Sequence, residues 1–149
     1  MMIFDDLASA GTGPVLEQML KFAGARHRLL AHNLANIDTP NFVPLDVSPQ
    51  AFQRHLARAT ARRQEATGGE TGALELTDTD EVLFGDGGSA PLTLKPGSSS
   101  GNILYHDRNN RDVERLMQAV AENQLAFRTA SDLIRRQNDL LRSAIAQRV

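Results

Sequence analysis

The sequence predicts a mainly α-helical, elongated protein: long N- and C-terminal heptad helices packing as a coiled coil, joined by an extended Gly-rich arm with short β-hairpins. Three observations predict it. Leu16, Leu20, Ala23, His27, Leu30, Leu34 and Ile37 recur at alternating steps of four and three. Val113, Val120, Phe127, Ile134 and Leu141 recur every seven residues. Eight of the eleven glycines lie between Glu65 and Gly101, which separates the two periodic segments.

Residues 1 to 13 read as a short leader that Gly13-Pro14 closes, proline being suited to a first helical position. The first helix is expected over about 14 to 38, with Val15, Met19, Phe22 and Leu29 widening its apolar face beyond what one partner helix needs. Pro40 ends it, because proline lacks the amide hydrogen and disfavours helical geometry at Thr39, while Asp38 and Asn41 suit turns. Val43 to Pro49 should be extended, and Ser48-Pro49 opens a second helix, about 49 to 63, with Phe52 and Leu56 on one face and Arg54, Arg58 and Arg62 on another.

The segment 64 to 108 is expected to be a partly flexible arm, with hairpin-sized alternation at Leu74-Glu-Leu-Thr, Val82-Leu-Phe and Leu92-Thr-Leu-Lys. The last helix should begin near Asn109 or Asn110, with Asp112 and Glu114 in its first turn, and run almost to Val149. Leu116, Met117, Ala130, Ala144 and Ile145 flank its heptad row, and Asn123 and Gln137 interrupt the seam. At a rise of about 1.5 Å per residue this helix would span roughly 57 Å. A compact chain of this length is only about 40 Å across, so the helix must project. Residues 1–63, 64–108 and 109–149 are therefore expected to form one structural unit whose apolar faces other subunits complete.

Composition narrows the chemistry. The net charge of −2 gives no general attraction to nucleic acid, yet residues 65 to 107 carry eight acids and one base, whereas 108 to 149 carry eight Arg and five acids. Absence of Cys excludes disulfides and thiolate catalysis. The first residues, Met1-Met-Ile-Phe-Asp-Asp-Leu, place two acids where a secretory signal needs bases, and no run approaches about 20 apolar residues, so neither a cleavable signal nor a membrane span is expected. His27 and His32 are five apart, off a shared helical face, and no acid–histidine cluster accompanies His55 or His106, so no metal and no cofactor is expected. Asp107-Arg-Asn-Asn-Arg-Asp-Val-Glu114 lacks the glycine a calcium loop requires and reads as a helix cap. With no nucleophile elbow, phosphate loop or dinucleotide fingerprint, the reading is neither an enzyme nor a binder of small-molecule substrate or nucleic acid.

Residues 31 to 42, Ala-His-Asn-Leu-Ala-Asn-Ile-Asp-Thr-Pro-Asn-Phe, resemble the Ala-x-Asn-(aliphatic)-Ala-Asn-x-x-Thr-Pro-Gly-Tyr signature of bacterial flagellar rod, hook and related axial proteins. The matched turn residues are Asn33, Ala35, Asn36, Asp38, Thr39, Pro40 and Phe42, with Asn41 standing for Gly and Phe42 for Tyr. Asp107 through Glu114 and Ala121-Glu-Asn123 resemble the entry and Ala-Glu-Asn segment of the last helix in the small rod proteins, with Arg108 for the usual Gly. The short middle is similar to that of the proximal rod subunits. The resemblance implies a structural rod subunit that transmits torque, with a seam formed by Leu16, Leu20, Ala23, Leu30, Leu34 and Ile37 on one helix and Val113, Leu116, Val120, Phe127, Ile134 and Leu141 on the other. It implies other rod subunits, the membrane (MS) ring and the rod-adaptor protein as partners, a periplasmic rod location, and passage through the flagellar type III export apparatus, for which Phe52-x-x-x-Leu56 resembles a gate motif. Without the resemblance, the residues also fit a cytoplasmic helical-hairpin adaptor.

Overall fold

The computed structural model describes residues 11–68, 74–85, 90–98 and 113–146. Among these, three helices dominate: α1 (Gly13–Ala35), α2 (Pro49–Thr67) and α3 (Val113–Ala146). Four short strands lie between them: β1 (Leu45–Asp46) before α2, then β2 (Val82–Phe84), β3 (Leu92–Leu94) and β4 (Gly97–Ser98) after it. The leader, the helix start at Asn109 or Asn110 and the Asp107 segment lie outside the described residues.

α1 ends at Ala35, earlier than the proline alone requires. The side-chain amide of Asn36 donates to the His32 carbonyl at 2.8 Å, taking over a carbonyl at the helix terminus. Beyond it the backbone tightens into bonds three residues apart, Asn36 to Asn33, Ile37 to Leu34, Thr39 to Asn36 and Phe42 to Thr39. Asn41 occupies the left-handed region at φ 60°, where asparagine stands in for glycine.

α2 begins where expected: the Ser48 hydroxyl oxygen accepts from the Ala51 amide at 3.1 Å, with Pro49 at the first position. It continues four residues beyond the expected end, because nothing breaks it before Gly68, which closes it at φ 73° with its amide on the Gln64 carbonyl.

The core lies between α1, α2 and the strands. Phe22 and Ala25 from α1 meet Phe52, Leu56 and Ala59 from α2, and Val47, Leu74, Leu76, Val82, Phe84 and Leu92 complete the cluster. Phe22 and Phe52 stack with centroids 4.0 Å apart, and Phe52 reaches Phe84 at 6.3 Å. β2 and β3 pair antiparallel, Val82 with Leu94 and Phe84 with Leu92, so alternate side chains point inward. The expected hairpin of the arm is thus a wall of the core. Leu74 and Leu76 are buried with Glu75 exposed between them, the alternation of a strand without ladder pairing. β1 pairs antiparallel with β4, Leu45 with Ser98 and Asp46 with Gly97, a two-residue contact too short to leave a period in the sequence.

α3 packs on the other side of α1. Ala23 and Gly24 lie beside Asn123 and Phe127, while Arg26 shares a groove with Arg115, Gln118 and Glu122, so the two helices run antiparallel. Counting back from Ala23, the start of α1 is level with about residue 133. At about 1.5 Å per residue, residues 134–146 therefore run roughly 20 Å past it.

His55 stacks on Phe84 at 5.5 Å, and its Nε2 is buried without a hydrogen-bond partner. Burial, followed by the positive charges of Arg62 and Arg58, holds its pKa below the ordinary 6.5, against an opposing hydrogen bond with the Thr77 backbone. The neutral ring is the folded form, so the unfolded chain takes up the proton first on acidification. The stabilisation is complete above the unfolded value and declines as pH falls through it toward the folded value. Urea midpoints measured at pH 7.5 and 5.5 should fall for the native chain and fall less for His55→Gln; equal falls would assign the acid sensitivity elsewhere.

Candidate assembly surface

The signature turn is held from below by a polar clasp. Asn33, only 2% exposed, donates its side-chain amide to the Leu45 carbonyl at 2.6 Å and accepts from the Leu45 amide at 3.2 Å. One side chain thus satisfies both backbone groups of the first residue of β1, as a neighbouring strand would. One residue on, Arg26 forms a bidentate pair with Asp46, Nε to Oδ1 at 2.9 Å and a second nitrogen to Oδ2 at 2.6 Å. Asp46 Oδ1 also accepts from the Val47 amide at 2.8 Å. Arg26 and Asn33 are seven residues apart on α1, so a single stripe of the helix grips the returning chain.

The other signature residues surround this clasp. Asn36 caps the helix, and Phe42 is half-buried with its ring edge-on to His32 at 5.7 Å. Ala35, Asp38, Thr39 and Pro40 are exposed on the outside of the turn. The clasp partners Arg26 and Asp46 were not among the sequence candidates. The available signal was Arg26 itself, four residues from Phe22 and four from Leu30, a charge in an apolar row that needs a buried partner.

On α1 the seam residues Leu16, Ala23 and Leu30 are buried, Leu20 and Ile37 are half-buried, and Leu34 is exposed. On α3 the heptad row is less covered: Leu116, Val120, Ile134 and Leu141 are half-buried, Val113 is exposed and Phe127 is 40% exposed over Gly24. The residues of α3 that are buried are Asn123 and Ala130, so α1 sits beside the heptad row rather than on it. Met117, Leu125, Leu133, Leu140 and Ile145 add further exposed apolar surface, Leu140 at 72%. Phe52 and Leu56 are both core residues.

The groove of about 690 Å³ between α3 and the clasp is lined by charges of both signs, Arg26, Asp46, Glu81, Arg115 and Glu122 among them. Among the described residues no group of three His, Asp or Glu side chains could hold a metal ion, and no helix is long and apolar enough to cross a membrane. What the arrangement does offer is a rigid turn, a long helix and uncovered apolar side chains.

No protein-family model matches the chain. It is similar to the flagellar basal body rod protein FlgB of Bacillus subtilis, 30% identical over 129 residues that cover 87% of this chain and 86% of that protein. It is also similar to the flagellar basal body rod protein FlgB of Borrelia hermsii, 29% identical over 104 residues, 68% of this chain and 71% of that protein. A likeness covering 87% of the chain cannot arise from the signature turn alone, and the chain belongs to the FlgB family of flagellar basal body rod proteins.

Proposed function

We propose that this chain is a structural subunit of the proximal rod, the drive shaft of the flagellar basal body, and that it joins its neighbours through α1 and α3. The observation that carries this reading is α3: a helix of 34 residues whose far end lies beyond α1 and bears large exposed apolar side chains. A helix without burial is marginal in water, since packing supplies most helical stability. Neighbouring subunits that cover Phe127, Leu133, Ile134, Leu140 and Leu141 in a coiled-coil arrangement would bury it. Torque then passes along helices stiffened by mutual packing, and the fixed turn at Pro40 and Asn36 sets the angle at which the chain leaves them. Other rod subunits, the MS ring and the rod-adaptor protein are the partners in this scheme, in the periplasm.

Export through the flagellar type III apparatus belongs to the same proposal, with Phe52 and Leu56 as the recognised pair. Both are buried in the folded chain, so the apparatus would read them only before folding. Truncating them should also cost about 3–5 and 2–5 kcal/mol of stability respectively. Cells carrying Phe52→Ala with Leu56→Ala should retain the protein inside. Secretion at the native level would remove the pair from the export reading, whatever the stability of the variant.

The rod reading is tested where the side chains are exposed in the single subunit. Leu133→Asp with Leu140→Asp should leave subunit stability within about 0.5 kcal/mol per site, while purified basal bodies lack a rod and cells lose motility. Normal rods from this variant would show that the free end of α3 is not an assembly surface.

A further inference from the structure

We infer that Asn123 sets the register of α3 against α1, and so fixes how much of α3 stands free for a neighbouring subunit. The heptad row of α3 repeats every seven residues from Val113 to Leu141. A slip of seven therefore leaves the apolar pattern unchanged while moving the helix by about 10 Å. Leu16 and Leu30 lie buried seven residues to either side of Ala23, whereas the centre of the contact is built from small residues, Ala23 and Gly24 on α1 and Ala130 on α3.

Asn123 is the exception. It is 4% exposed and its side-chain amide donates to the Ala23 carbonyl at 2.9 Å, a directional bond across the seam to a residue itself buried. Slipping α3 by seven brings Ala130 or Leu116 to Ala23, and both are acceptable there. The same slip carries Asn123 to the level of Leu30 in one direction and Leu16 in the other, and both are buried leucines. Its amide would then be buried against hydrocarbon without a partner, which is disfavoured far more than the loss of one exposed hydrogen bond. A buried polar residue in a helix seam gives up stability and selects one register. Here the selected register leaves the last turns of α3 beyond the start of α1. Subunits slipped by a heptad would offer a stripe displaced by about 10 Å and could not join a common lattice. The register claim concerns the single chain; its consequence for assembly rests on the rod reading above.

The chain has no cysteine, so His27→Cys and Gln124→Cys, both exposed positions on the two helices, accept a pair of spin labels without background. Pulsed electron–electron distance measurements on the full-length chain should give one distance. Asn123→Leu should keep the helix content and add a second distance displaced by up to about 10 Å, and in cells it should reduce motility several-fold. Asn123→Ala, which cannot overfill the contact, should show the same second distance. A single native distance in both variants overturns the register claim. Two distances with a full complement of rods overturns its consequence for assembly.

Discussion

The grip of α1 on the chain that returns from the turn is the contact on which the other packing depends. Pro40 stops the helix, but a stop alone leaves the direction of exit open. Asn33 and Arg26 close that freedom by holding Leu45 and Asp46 against the helix that precedes them. Removing Asp46 would leave the Arg26 guanidinium buried without its carboxylate, and such a loss is costly in a way that surface ion pairs are not. Once β1 is fixed, Ser48 is in place to start α2, and its amide is held by Glu81 at 2.8 Å, which ties the helix start to β2. The signature turn is therefore a folding device as well as an exposed corner.

That geometry divides α1 into two working faces. Phe22 and Ala25 go to the core with α2 and the strands, while Ala23 and Gly24 face α3. The first face is well filled, and its stacked phenylalanines supply the large buried areas on which a small core relies. The second has small side chains and one buried amide at its centre. α3 accordingly keeps much of its apolar surface in water within the single subunit, a poor arrangement for a monomer and one that suits the proposed rod role.

How far the sequence foretold this differs from element to element. The three helices were legible because each has a period and a chemical stop: Pro40 after α1, Ser48-Pro49 before α2, the unbroken heptads of α3. The breadth of the apolar face on α1 correctly implied more than one neighbour. The arm was misjudged in its role, because Leu74, Leu76, Val82, Phe84 and Leu92 are separated by Gly, Asp and Thr that signal loops, and only tertiary contact with Phe52 reveals them as core. β1 and β4 were invisible, since two paired residues carry no pattern. The turn residues were picked out by their likeness to a family, which gave no role to Asn33; its two bonds to Leu45 supply one. On α3, Asn123 and Ala130 lie deeper than Phe127 of the expected heptad row, since a backbone can approach small residues more closely than a ring.

The proposed rod role makes one physical statement: α3 is complete only in company. Hydrogen exchange on the purified full-length subunit, followed residue by residue along α3, measures this directly. Amides near Asn123 and Ala130, where α1 covers the helix, should be protected, while those from Ile134 through Leu141 exchange within the time expected of a fraying helix and become protected only in assembled rods. Strong protection from Ile134 through Leu141 in the isolated subunit would mean that the chain satisfies its long helix by itself, and would contradict an assembly role for its exposed apolar stripe.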